Sequence, residues 1–169
     1  RINHKKRLFN KDLLGGAILD GGIYPISLLI DIMQFFNHDV SEIKYIDCVK
    51  KSSKNVDLES TLNLSINDTQ IKIKTSLINN LENNFILKAD DYEIILENIF
   101  DINSKSMIKI KSYSNYKEIC NSYRENSYFF QIKNISELLL KKDINEDLFK
   151  KNFSKIEKNN NILSNWLNY

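Results

Sequence analysis

The chain has 169 residues, enough for one domain with a real core, and 42% hydrophobic against 27% charged residues is an ordinary globular balance. A net charge of +2 gives no electrostatic case for nucleic acid, and the longest apolar run, 23–36, is broken by Ser27, Asp31 and Gln34 and cannot serve as a membrane span. Cys48 and Cys120 lie far apart, His4 and His38 are isolated, and no metal spacing results, so two free thiols in a cytoplasmic protein without a metal are expected.

Residues 1–12 are polar and basic, with Leu8 and Phe9 as the apolar pair. They read as a linker or loose strand ahead of a single folded domain, 13–169. Residues 13–36 read as helix. Within them Gly15–Ile30 holds all 4 glycines and the only proline of the chain. Glycine is costly in a helix interior, so its concentration here suggests a close backbone approach. Pro25 removes the helical hydrogen bond to the Gly21 carbonyl, which predicts a kink or restart near Gly21-Gly22. The helix should stop at the turn-forming cluster Asn37-His38-Asp39.

The period then changes to two. Residues 42–50 alternate with apolar groups on both faces. Residues 56–67 alternate cleanly, with Leu58, Ser60, Leu62, Leu64 and Ile66 on one face and Asp57, Glu59, Thr61, Asn63 and Ser65 on the other, as in an antiparallel sheet with one solvated face. Asn67-Asp68 suits a tight turn into 69–78. A second hairpin, 83–89 and 92–100, turns at Asp90-Asp91, and 107–111 is one more strand. The last third reads as helix over 122–142, a short helix over 147–153, and a final helix over 154–166 with Ser154 as N-cap and Glu157 completing a capping box. The fold class is therefore α+β: an open, mostly antiparallel sheet of about six strands with helices packed on one face.

Asp20, Tyr24, Ser27 and Asp31 recur at steps of four, three and four, which sets them in one row on a helix. Two readings stand side by side. The row is the polar edge of an amphipathic core helix, or it is the wall of a site carrying a carboxylate and a phenol one turn apart.

Gly15-Gly16-Ala17-Ile18-Leu19-Asp20-Gly21-Gly22-Ile23-Tyr24-Pro25 resembles the start of the C-terminal domain in the Gfo/Idh/MocA family of NAD(P)-dependent oxidoreductases. Its pattern there is Gly-Gly-(Gly)-Ala-Leu-Leu-Asp-x-Gly-x-His/Tyr-Pro. Residues 85–94 sit where such chains carry strand, turn and strand, without the usual glycines. Residues 157–166 look like the closing helix of one subgroup. The family's N-terminal Rossmann domain, with its Gly-x-Gly-x-x-Gly turn and Glu-Lys-Pro lysine, has no counterpart in these residues. The resemblance therefore implies the C-terminal, substrate-binding and oligomerisation half of a longer enzyme, inactive by itself.

For that parent enzyme the resemblance implies hydride transfer between NAD or NADP, bound mainly by the N-terminal half, and a sugar, sugar derivative or cyclic polyol. Tyr24 stands where the family places His or Tyr as acid/base, and Asp20 matches the site aspartate that holds the substrate hydroxyl or orients Tyr24. A free phenol titrates near pH ~10, so a nearby positive charge is needed, which the family lysine would supply. Ser27, often Asp in members with His at the Tyr24 position, and Tyr123, in a Tyr123-Arg124-Glu125 cluster, are the substrate-binding candidates. Asp31 reads as structural, Trp166 as a core or lid anchor. Implied partners are a small sugar-like substrate, the chain's own Rossmann domain and a second copy through the open sheet face. The alternative is a non-catalytic scaffold or binding module that keeps the fold.

Overall fold

The computed structural model describes residues 6–100, 105–122, 124–141 and 146–169. Four helices, α1 (Ala17–Gly21), α2 (Ile23–Phe35), α3 (Ser127–Lys141) and α4 (Glu146–Asn168), accompany seven strands. These are β1 (Lys44–Ser53), β2 (Val56–Ile66), β3 (Thr69–Ser76), β4 (Phe85–Lys88), β5 (Tyr92–Glu97), β6 (Lys105–Ser112) and β7 (Tyr116–Ser122). The class is α+β. The strands number one more than the alternation suggested, and they pair as two antiparallel sheets, β1-β2-β3 and β4-β5-β6-β7. The chain divides into two compact units, 1–81 with 147–169, and 82–146.

In the first unit the glycine-rich stretch breaks where expected. The segments Lys11–Gly21 and Ile23–Phe35 are bent by 43°. Pro25 falls in the first turn of α2, where a missing N–H leaves nothing unsatisfied. Gly16 and Gly22 illustrate what the geometry demands of this stretch. Gly16 has φ 134°, a left-handed-side conformation closed to side chains, and a Cβ there would stand 2.2 Å from Asp57 Oδ1. At Gly22 a Cβ would stand 2.9 Å from the Trp166 ring. The close approach is thus to the chain itself.

The stop of α2 has a specific cause. Asn37 takes φ 59°, its N–H donates to Gln34 O (3.2 Å), and His38 N–H donates to Met33 O (2.8 Å), the paired bonds of a Schellman motif. Asp39 then caps a 3-10 turn, Val40–Glu42, through a capping box. The β1–β2 connection is tighter than the loop read over 51–55: Lys54 and Asn55, φ 49° and 62°, make a two-residue turn closing the Ser53–Val56 pair.

Alternation in β2 is as read. Leu58, Ser60, Leu62, Leu64 and Ile66 are buried, and the intervening residues are partly exposed. Against this face pack Ile18 from α1, Ile26, Leu29, Ile30 and Met33 from α2, and Ile162, Leu163 and Trp166 from α4. The helices of this unit therefore share one face of its sheet. Trp166 is fully buried and donates from Nε1 to Ser60 Oγ at 2.8 Å, which accounts for a serine among the inward leucines.

The reading of two helices over 147–166 is corrected: α4 is continuous, and Ser154 lies inside it rather than at an N-cap. Its polar side is tied back to the unit. Lys155 Nζ meets both carboxylate oxygens of Asp31 at 2.7 Å, and Lys158 Nζ meets Asp39 at 3.3 Å. These tertiary partners favour continuing the helix through a lysine- and asparagine-rich run of modest propensity.

In the second unit β7 is the strand the alternation did not reveal, and the helix read from Ser122 begins at Ser127. Asn126 caps it, its side chain accepting from Phe129 N–H at 3.2 Å. The strand signal of β7 is weak because Tyr116-Lys-Glu-Ile-Cys-Asn-Ser offers one aliphatic residue, Ile119. Register explains its pairing: Ile119 faces Ile108, and Glu118 faces Lys109. Ala89–Tyr92 backbone bonds close the β4–β5 hairpin around Asp90-Asp91 as read.

This sheet has two unlike faces. Phe85, Leu87, Ile94, Leu96, Ile108, Ile110 and Ile119 share one by register. The other carries the ion pairs Lys88–Glu93 (2.9 Å), Lys111–Glu93 (3.2 Å) and Lys109–Glu97 (2.5 Å). No described residue of the unit is fully buried.

Candidate functional site

The candidate residues are set by the break in the organising helix. Asp20 ends its row on α1, before Gly22, whereas Tyr24, Ser27 and Asp31 are on α2, after it. The bend separates the carboxylate of Asp20 from the helix that carries the phenol. Tyr24 is 57% exposed, so its ring is a surface group and not a core aromatic. Ser27 is half-buried. Tyr123 lies outside the described residues, and with it the proposed aromatic contact of the cluster 123–125.

Asp20 has a partner that spacing along one helix could not reveal. Arg7 donates from Nη2 to Asp20 Oδ1. Arg7 is in a 3-10 turn, Arg7–Phe9, followed by a second, Lys11–Leu13. Backbone bonds hold this segment on the glycine turn: Gly16 N–H donates to Leu8 O at 3.0 Å, and Gly15 N–H to Asn10 O at 2.9 Å. The absence of a side chain at Gly15, where a Cβ would run into the Arg7 and Leu8 carbonyls, thus lets residues 7–8 lie against the start of α1 and brings a guanidinium to the carboxylate. The sequence signal was thin, a lone arginine 13 positions upstream in a basic run.

Asp31 is structural, as read, with both oxygens on Lys155. Trp166 is a core anchor rather than a lid. His38 is a loop residue whose Nδ1 lies 2.8 Å from Glu42 Oε2. Among the described residues no group of three or more His, Cys, Asp or Glu is placed to hold a metal ion. No single helix among them is long and apolar enough to cross a membrane.

Asp39 and Asp57 are among the carboxylates of this unit that depart from their ordinary behaviour. The Ser41 backbone N–H, then its side chain and Lys158, hold Asp39 down at about 2. Burial pushes Asp57 up, against the hydrogen bond it accepts from Ile18 N–H at 2.7 Å. Asp57 forms part of the wall of a cleft of about 640 Å³ in this unit, which includes Gly15, Ile18 and Leu19 but none of Asp20, Tyr24 and Ser27. The polar row therefore takes no part in that cleft's lining.

Chemically, the row offers a half-exposed carboxylate with a guanidinium on it and an accessible phenol just beyond the bend. Such a pair can hold a hydroxyl group and exchange its proton.

No family model matches the sequence, and no curated protein matches it. Solved structures do. A lysine-to-alanine variant of KijD10, a 3-ketoreductase from Actinomadura kijaniata, in complex with TDP-benzene and NADP, matches with a TM-score of 0.71 at 12% identity, over 89% of this chain and 46% of that one. KijD10 itself with NADP and TDP-benzene matches with a TM-score of 0.68 at 14% identity, over 83% and 42%. A tyrosine-to-phenylalanine variant gives 0.67 at 13%, over 83% and 42%. The chain spans less than half the length of these proteins. At such identities the likeness is one of fold: this chain folds like part of a 3-ketoreductase.

Proposed function

We propose that this chain is the substrate-binding and oligomerisation part of a cytoplasmic NAD(P)-dependent oxidoreductase of the Gfo/Idh/MocA type, acting on a sugar, sugar derivative or cyclic polyol. The observation that carries the reading is the placement of the Gly15–Pro25 motif. It forms a bent helix pair with Asp20 and an exposed Tyr24 on either side of the bend, in a chain that folds like part of a 3-ketoreductase. The free state of Cys48 and Cys120 supports the cytoplasmic setting.

The glycines here do not fit a dinucleotide. The space a pyrophosphate would need at Gly16 and Gly22 is filled by Asp57 and Trp166. The nicotinamide, which supplies or accepts the hydride, is accordingly assigned to the Rossmann half of the parent enzyme. What this chain contributes is proton handling. Tyr24 Oη exchanges the proton of the reacting hydroxyl, and Asp20, steadied by Arg7, accepts a hydrogen bond from the substrate and fixes its orientation. Ser27, one turn along α2 from Tyr24, and Tyr123 are assigned to substrate contact.

In the complete enzyme Tyr24→Phe should lower turnover about 10²–10⁴-fold. The unfolding midpoint should stay put, because the side chain is exposed. Turnover near wild type would remove Tyr24 from the chemistry and leave the scaffold alternative in front. The 169-residue chain alone should show no dehydrogenase activity and no micromolar NADH binding in a fluorescence titration.

A second copy is assigned to the apolar face of β4–β7. The outer face of β1–β3 is polar, with Asn63–Asp47 (2.6 Å) and Glu59–Lys74 (3.7 Å) paired on it. Ile108→Lys should convert the sedimenting species from dimer to monomer. A wild-type chain that sediments as a monomer at high concentration would end this assignment.

A further inference from the structure

The cleft beside the β1–β2 turn is unused by the reading above. It lies wholly in the first unit, with a volume of about 640 Å³, the size range of small-molecule sites. Its polar lining is unbalanced. Lys11, Lys50 and Lys54 face a single carboxylate, Asp57. Asp57 is already committed to the Ile18 N–H at 2.7 Å, and Lys50 donates to Leu167 O at 2.9 Å. That leaves the Lys11 and Lys54 ammonium groups with no carboxylate partner among the described residues.

The rest of the lining mixes the neutral polar residues Ser52, Ser53 and Asn55 with an apolar part. Leu14 and Leu167 are exposed at 71% and 39%, and Ile18 and Leu19 complete the wall. Leu14 also holds φ 54°, the left-handed region that a bulky residue seldom adopts. The backbone strain at Leu14 is thus kept at a position whose side chain stands in water beside the cleft. Lys54, opposite, is fixed by the two-residue turn it shares with Asn55.

We propose that this cleft binds a small amphipathic anion, a phosphate or carboxylate carried on an apolar body, with Lys11 and Lys54 taking the charge and Leu14 and Leu167 the body. A paired arrangement of this kind gives charge-assisted hydrogen bonds at one end and apolar burial at the other.

Octyl phosphate is the probe, titrated into the ¹⁵N-labelled chain and followed by amide shifts. Saturable binding should move the amides of Lys11, Leu14, Lys54 and Asp57 together. The exposed-site double variant Lys11→Ala/Lys54→Ala should weaken it by roughly tenfold or more. Inorganic phosphate and octanol, each carrying one half of the chemistry, should both bind more weakly than octyl phosphate. The proposal is overturned by absence of saturation, by shifts centred elsewhere, by undiminished affinity in the double variant, or by either half-probe binding as tightly. Cosedimentation with phosphatidic acid vesicles and no binding of monomeric octyl phosphate would also overturn it, in favour of a lipid surface. None of these readouts involves Tyr24, so this proposal and the oxidoreductase reading stand or fall separately.

Discussion

In the unit formed by residues 1–81 and 147–169, Ile18, Ile26, Ile30, Leu62, Leu64, Ile162 and Trp166 are wholly removed from water. In residues 82–146 each described aliphatic side chain keeps some exposure. Both units have an antiparallel sheet with a well-sorted apolar face. The difference is what lies on that face. The first sheet carries three helices from both ends of the chain, joined by Trp166 to Ser60 and by Thr75 Oγ1 to Ala17 O at 2.9 Å. The second is held by its ladder and by cross-strand ion pairs between partly exposed groups, which contribute little each. Sorting residues by face is a local property of a strand. Removing that face from water requires a second layer.

The comparison breaks most sharply at Trp166. Trp166→Ala should destabilise the first unit by about 3–5 kcal/mol, through lost burial, a cavity and the loss of its bond to Ser60 Oγ, which leaves that hydroxyl to the weaker Cys48 sulfur contact at 3.6 Å. Urea unfolding followed by amide exchange should show the protection of β2 collapsing while that of β5 and β6 is unchanged. A uniform loss across both sheets would mean that the units unfold together. Gly16→Ala comes next, at about 1–3 kcal/mol, because its φ of 134° excludes a side chain and Asp57 occupies the space. Ile108→Ala in the second unit should cost only about 1 kcal/mol or less, as its side chain is already partly in water. That figure is for the monomer at low concentration; the proposed pairing of two copies through the face of β4–β7 requires the loss to grow as protein concentration is raised.

Acid sharpens the same contrast. Asp39 is depressed from its usual 3.8 to about 2 by the Ser41 N–H and Lys158. Its stabilisation is present above 3.8 and is lost as pH falls through about 2, since the unfolded chain takes up the proton first. Asp57 has the opposite sign: burial raises it, so its ionisation opposes folding as pH rises above the unfolded value of 3.8. Asp39→Asn should flatten the acid limb of the stability profile of the first unit. An unchanged limb in that variant would place the acid sensitivity elsewhere.

Much of the fold was legible because it rests on short-range rules. Period-two alternation located β2 and β3, Asn67-Asp68 marked their turn, and Pro25 with its preceding glycines marked the bend. Where the reading failed, the deciding partner was distant. Ser154 with Glu157 carries a capping-box signature that divides α4 on local grounds, whereas Lys155 and Lys158 meet Asp31 and Asp39 more than a hundred residues away and the helix runs on through it. β7 was missed because one isoleucine is too little alternation, whereas facing Ile108 and Lys109 across the ladder supplies the pairing. At the candidate site, spacing and motif put Asp20 and Tyr24 forward as candidates, whereas the Arg7–Asp20 contact left no signal along the helix.

The sequence by itself determined the run of strands from β1 to β6, the bend at Gly22 and the inward face of β2, since each follows from backbone sterics or side-chain alternation within a few residues. Only the tertiary structure decided that Trp166 seals the first core, that Arg7 sits on Asp20, and that Gly16 yields its space to Asp57. Those pairings depend on which distant segments the folded backbone brings within a few ångströms, and no local period encodes that distance.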